Sequence, residues 1–81
     1  MAVQRLSVWD EVDEFLISTP TPEQILAFRP SESTQERLSA LLAANRNGEI
    51  TPAEQAELNE HMALENFMRR LKVKALAKIS A

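Results

Sequence analysis

The sequence predicts an all-α fold of three to four helices, dominated by a helical hairpin with a long C-terminal arm. Residues 53–79 contain neither glycine nor proline and consist mainly of residues that favour helices. The only glycine, Gly48, follows an asparagine just before this segment and is typical of a helix end. With 81 residues, the chain is expected to form a single small helical domain, residues 1–81.

The N-terminal part is expected to contain only short elements. Residues 1–6 are predicted to be loose, and residues 7–30 to form short helices, the first of them capped by Ser7. Trp9 is expected to be an anchor in the core or in an interface, since no basic residues interleave with it. Thr21, followed by a proline and by a glutamine three residues on, predicts the start of the next helix.

Residues 33–79 are predicted to form the hairpin. Ser33, with a glutamate three residues later, is preferred to Ser31 as the cap of its first arm, and Thr51 is the expected cap of the long arm, about residues 51–79. The inner face of the first arm is expected to consist of Leu38, Leu41, Leu42 and Asn45. This short arm can cover only the first half of the long one, so the rest is left for the N-terminal elements or for a partner.

The apolar residues of the long helix fall on two stripes. The first stripe contains Ala53, Leu64, Phe67, Met68, Leu71, Ala75 and Ile79. The second, well round the helix, contains Leu58, Met62, Val73 and Leu76. A single stripe is sufficient to close a small core, so the second is either covered by the N-terminal elements or meets another chain. The sequence leaves these two alternatives open.

Charge is distributed unevenly along the chain. The formal net charge is −3, yet residues 1–65 hold twelve acids against four arginines, a net charge of −8, whereas residues 66–81 hold five bases and no acid. This asymmetry suits self-association, an acidic partner or nucleic acid, although it also complements the helix dipole. The candidate electrostatic and nucleic-acid-binding residues are Arg69, Arg70, Lys72, Lys74 and Lys78.

Composition narrows the class of protein. There is no cysteine, so disulfides and thiolate metal sites are excluded. No apolar run approaches the length of a membrane span, and no signal-peptide pattern follows the first residues. We therefore expect a soluble, cytoplasmic protein that does not contact a membrane.

Few residues offer chemistry, and no cofactor, metal or enzymatic activity is expected. His61, the only histidine, is predicted to form solvated pairs with Glu57 and Glu65, one turn away on either side. The hairpin turn partly matches a calcium loop, but Ala43 stands where the first acidic ligand is needed. The hydroxyl groups suited to nucleophilic catalysis are already assigned as helix caps.

Two stretches resemble a group of small uncharacterised all-helical bacterial proteins. They are residues 22–31 and residues 37–54, together with Leu58, Leu64-Glu65 and Leu71-Lys72. In that group a leucine-rich helix, an Asn-Arg-x-Gly turn and a Thr-Pro-x-Glu helix recur, and the genes often lie beside a predicted nuclease gene of the HNH type. The resemblance implies an antitoxin-like or accessory protein that binds a larger partner. The neighbouring genes make a nuclease a candidate for that partner.

We therefore predict a non-enzymatic protein–protein interaction module that lays the second half of its long helix into a groove on a larger partner. The predicted anchors are Phe67, Met68, Leu71, Leu76 and Ile79. Two alternatives remain: a nucleic-acid-binding module that uses the basic C-terminal segment, and a homo-oligomeric helical structural protein.

Overall fold

The computed structural model describes residues 8–81, and every regular element in that range is a helix. In chain order, α1 is Val8–Ile17, α2 is Pro22–Ala27, α3 is Glu32–Arg46 and α4 is Pro52–Ser80. The all-α fold class and the long C-terminal helix are confirmed. The predictions that residues 1–6 are loose and that Ser7 caps α1 lie outside the described residues.

Helix α4 is the scaffold against which the three shorter helices pack. It has 29 residues, which corresponds to about 44 Å of helix. Its first turn is closed by the predicted capping box: the Glu54 backbone N–H donates to the Thr51 hydroxyl (3.1 Å), and the Thr51 N–H donates to the Glu54 carboxylate (3.0 Å). An equivalent box at Thr21 starts α2, as predicted.

The turn between α3 and α4 is the helix stop that the Asn-Gly pair predicts. Gly48 has φ +73°, the left-handed conformation that favours glycine. Its N–H donates to the Asn45 carbonyl (3.2 Å), and the Glu49 N–H donates to the Ala44 carbonyl (2.9 Å), so the last carbonyls of α3 are satisfied. The chain then reverses and α4 begins within a few residues.

The two arms of the hairpin are joined by an apolar contact face and an ion pair. Leu41 of α3 and Leu58 of α4 are both buried. The Arg37 guanidinium donates two hydrogen bonds to the Glu57 carboxylate, both of 2.7 Å, in the bidentate geometry that is strongest for this pair. The orientation of α3 on α4 is therefore fixed by both kinds of contact.

The buried face of α3 is narrower than the four residues predicted for it. Leu41 is buried and Leu38 is half-buried, but Leu42 is 41% exposed and Asn45 is exposed as well. Leu42 lies about 100° round the helix from Leu41. The buried side of α3 therefore includes Leu41 but not its neighbour.

The centre of the core lies where α1 meets the middle of α4. Val12, Leu64 and Met68 form a buried cluster, and Val12 is only 1% exposed. Trp9 is half-buried, and its ring meets that of Phe67 edge to face with centroids 5.6 Å apart, which is a favourable aromatic geometry. Its predicted role as an anchor is therefore realised within the chain.

The N-cap of α3 differs from the predicted one. Ser31, not Ser33, is the N-cap, and its hydroxyl accepts the Thr34 N–H (3.3 Å). Thr34 stands where a capping box would need a glutamate or a glutamine. Glu11 of α1 takes that role instead: its carboxylate accepts the Ser31 backbone N–H (2.8 Å) and also hydrogen bonds from the hydroxyls of Ser31 (3.2 Å) and Thr34.

Replacing Gly48 should destabilise the fold through the backbone alone. Nothing lies within 4 Å of a Cβ added there, so the Gly48→Ala variant should lose about 1 kcal/mol from left-handed strain. Gly48→Asn should lose less, because asparagine tolerates this conformation. Urea unfolding measures both losses. Equal, larger losses in the two variants would mean that a steric clash, not φ, sets the cost.

The Glu11 contact should make stability depend on pH. Partial burial raises the pKa of Glu11, but the hydrogen bonds from Thr34 and Ser31 outweigh it and lower the pKa below its ordinary 4.5. The stabilisation is therefore present above pH 4.5 and lost as the pH falls through the folded-state pKa. At neutral pH, Glu11→Gln should lower the free energy of unfolding by about 1–3 kcal/mol.

Unfolding curves from pH 7 down to pH 3 compare this variant with the unchanged chain. The difference between the two should shrink below the ordinary pKa of 4.5. Glu14→Gln is the matched control, because Glu14 is an exposed acid on the same helix. A loss for Glu11→Gln that stays constant across this pH range would contradict the role of the carboxylate charge.

Candidate functional site

The second half of α4 exposes three large apolar side chains at helical spacing. Val73 is 64% exposed, Leu76 54% and Ile79 42%. Successive members are three residues apart, so they lie along one side of the helix. We call these three residues the C-terminal stripe. Large apolar side chains that recur on one helix face are more typical of a contact surface than single exposed ones are.

The short length of α3 explains why the C-terminal stripe is exposed to solvent. In the first half of α4, the second predicted stripe is covered: Leu58 is 4% exposed and Met62 is half-buried. In the second half the same stripe is exposed at Val73 and Leu76. With 15 residues, α3 extends about 22 Å, half the length of α4. The second stripe is therefore buried within the chain in its first half only.

Another face of the same half of α4 is occupied by α2. Ala75 is 5% exposed, and α2 packs against α4. The Lys72 ammonium donates a hydrogen bond to the Phe28 carbonyl (3.0 Å) at the C-terminal end of α2. The Phe28 ring in turn meets that of Phe15, with centroids 4.6 Å apart. The short N-terminal helices thus cover one side of α4 and leave the C-terminal stripe uncovered.

The five predicted anchors divide between the core and the surface. Met68 is 6% exposed and belongs to the central cluster, against which Phe67 and Leu71 also pack while half-buried. Leu76 and Ile79 remain exposed. The first three are occupied because α1 crosses α4 at their level, which the sequence alone does not determine.

Val73 was not among the predicted anchors, although it is the most exposed member of the C-terminal stripe. The signal that finds it is its place in the second apolar stripe, beside Leu76. Partner binding by any of these residues stays a prediction.

The five bases of this segment differ in their surroundings. Arg69 donates to the Glu65 carboxylate (3.1 Å) one turn earlier, and Lys72 is held by the Phe28 carbonyl. The other three are exposed and form no ion pair with any residue from 8 to 81. They are Arg70, Lys74 and Lys78. At about 100° per residue these three bases lie along one flank of the C-terminal stripe.

The prediction of a solvated histidine is wrong. His61 is only 7% exposed, because it lies between Leu58 and Leu64 on the face of α4 that the other helices cover. The two flanking acids have other partners: Glu57 binds Arg37, and Glu65 binds Arg69. Among residues 8–81, no three histidine or carboxylate side chains lie close enough together to hold a metal ion.

No family model, curated protein or solved structure matches the chain. The resemblance to small bacterial proteins encoded beside nuclease genes therefore stays a prediction. From Val8 onward, the chain has no helix whose length and apolar character would allow it to cross a bilayer.

Truncating side chains should separate the core from the C-terminal stripe. Met68→Ala should lower the free energy of unfolding by about 2–5 kcal/mol, because it leaves a cavity in the central cluster. Leu76→Ala should change it by less than about 0.5 kcal/mol, because the side chain is exposed. Urea unfolding at several protein concentrations tests both. A large, concentration-dependent loss for Leu76→Ala would show that self-association buries the stripe.

Proposed function

We propose that this chain is a non-enzymatic interaction module that binds a larger protein through the C-terminal end of α4. The observation that carries the proposal is the C-terminal stripe, three large apolar side chains that are exposed along one side of α4. Recognition would follow the helix-in-groove mode, in which apolar residues three or four apart enter an apolar groove. Val73, Leu76 and Ile79 would be the anchors.

The charges around the stripe specify the chemistry of the partner. Arg70, Lys74 and Lys78 are exposed on one flank of it, and residues 66–81 carry a net charge of +5. A groove rimmed by acidic residues would complement this segment, speed association and exclude basic partners. Burial of each anchor contributes about 1.5–3 kcal/mol to the free energy of binding. The loss of translational and rotational freedom on association offsets most of what the three anchors contribute together. We therefore expect the charged contacts to be needed for specific binding.

An antitoxin-like or accessory role is the form of this function that we propose. The sequence resemblance makes a nuclease of the HNH type the first partner to test. We propose no catalytic role for the chain itself, since the hydroxyls of Thr21, Ser31 and Thr51 are engaged as helix caps.

Binding of nucleic acid is the second candidate. The exposed basic side chains of Arg70, Lys74 and Lys78, which form no ion pair within residues 8–81, favour it. Lysine and arginine side chains that are exposed on one helix can neutralise phosphates without reading sequence. Such binding would depend on charge rather than on the apolar stripe, and it would weaken steeply with added salt. The two candidates therefore respond to different substitutions.

Affinity purification from cells that naturally make the chain should compare three variants with the unchanged protein. Val73→Ser/Leu76→Ser removes two anchors, and Lys74→Gln/Lys78→Gln removes two charges. Ile17→Ser is the matched control, because Ile17 is 80% exposed on α1, away from the proposed surface. We expect one protein to be recovered with the unchanged chain and with the control, and to be lost with the anchor variant.

The recovered protein is then purified, and its affinity for each variant is measured by calorimetry. Loss of two anchors should weaken it at least about tenfold. Recovery of the same protein by the anchor variant would contradict the proposal. If nucleic acid is recovered and is lost only with the charge variant, the second candidate is correct. A self-associating chain with no other partner would support the homo-oligomeric alternative.

A further inference from the structure

A cavity of 440 Å³ lies against α4, beside α3 and the segment that joins α2 to α3. This volume is within the range of about 300–1,000 Å³ that is typical of small-molecule sites. The walls are mainly apolar and include Val8, Phe28, Leu38, Leu64 and Met68. It is distinct from the C-terminal stripe, whose three residues do not line it.

The cavity is an elongated groove that follows the helix. The α4 residues that line it form two adjacent rows with members four positions apart: His61, Glu65 and Arg69, and Leu64, Met68 and Lys72. From the first to the last of them the helix rises about 16 Å. An extended chain fits such a groove better than a compact ring does.

One end of the groove contains a buried histidine. His61 lines the cavity although it is only 7% exposed, and it has no hydrogen-bond partner within residues 8–81. In the same part of the chain, every fully buried side-chain nitrogen or oxygen has a partner. The imidazole of His61 therefore adds a polar group to this end of the cavity lining.

The other end of the groove is cationic. Arg69 is neutralised by Glu65 at 3.1 Å, which leaves Arg29 and Lys72 as the net charges of the lining. Lys72 gives one N–H to the Phe28 carbonyl, and an ammonium group has two further N–H donors to offer. Arg29 is exposed and forms no ion pair within the described residues. A carboxylate placed here would meet two positive charges.

We infer that this groove binds an elongated amphipathic carboxylate, an unbranched apolar chain with a carboxylate head. The apolar chain lies along Leu38, Leu64 and Met68, and the head accepts hydrogen bonds from Lys72 and Arg29. Charge complementarity favours this ligand over a neutral or cationic chain of the same length. The inference does not depend on the proposed protein partner.

Titration of the isotope-labelled chain, followed by NMR, tests the ligand class with three probes that share one tail: decanoate, decanol and decyltrimethylammonium. The two charged probes stay below their micellar concentrations, and decanol stays below its solubility limit. We expect decanoate to shift the amide signals of Thr34, Leu38 and Leu64. Decanol should bind about tenfold more weakly because it lacks the charged head, and the cation should bind least. Equal affinity for the three probes, or no binding of decanoate, would overturn the inference.

Two variants locate the site. Arg29→Gln should weaken decanoate binding about tenfold and leave decanol binding unchanged, because Arg29 is exposed and forms no ion pair within residues 8–81, whereas Lys74→Gln, which changes an exposed lysine outside the groove, should alter neither. Leu38→Trp should fill the groove and remove the binding of both, with the fold checked by circular dichroism. Decanoate binding that is insensitive to Arg29→Gln and Leu38→Trp would overturn the inference.

The Val73→Ser/Leu76→Ser variant should keep its affinity for decanoate. Failure of the ligand experiment and failure of the partner experiment are therefore distinguishable. If the shifts caused by decanoate map to the C-terminal stripe instead of the groove, the probe is binding to any exposed apolar surface, and the inference is wrong.

Discussion

Burial of one side of α4 by three shorter helices is the constraint on which the other features depend. A helix of 29 residues presents more apolar surface than α1, α2 and α3 can cover together. Val12 of α1 meets Leu64 and Met68 at its centre, and α3 follows its first half. The surface that remains is set by where these short helices end, so the C-terminal stripe is a consequence of their length as much as of its own residues.

The contact of Glu11 with the start of α3 holds this arrangement together at long range. An N-cap is usually satisfied within its own helix, but here the acid comes from α1, twenty positions earlier. The chain between them contains α2, so one carboxylate fixes both the position of α1 on the core and the point at which α3 begins. The Phe28 carbonyl is held on the same segment by Lys72. The groove inferred beside it therefore has walls that are tied to α4.

Features that depend on neighbouring residues could be predicted from the sequence, and those that depend on packing could not. The boxes at Thr21 and Thr51 and the stop at Gly48 are local, since each is completed within a few residues. Whether Leu42, His61 or Met68 is buried depends on the side of the helix on which a neighbour lies. The spacing of apolar residues predicts the two stripes of α4. The position along α4 at which the second stripe becomes exposed depends on the length of α3, which that spacing does not give. The groove combines side chains from separate elements, and no spacing in the sequence indicated it.

Lys72 is the place where the groove and the C-terminal stripe meet. It precedes Val73 directly, and Leu76 and Ile79 follow it at helical spacing, so a carboxylate bound at Lys72 would lie about one turn from the stripe. It would also offset one of the five positive charges of residues 66–81.

If both proposals hold, a partner that recognises the apolar stripe and the basic side chains beside it would meet a different surface on the liganded chain. Its affinity would then differ between the two states, and by linkage it would change the affinity for the ligand by the same factor. The direction follows from charge: an acidic partner and an anionic ligand compete for the same field, so each should weaken the binding of the other.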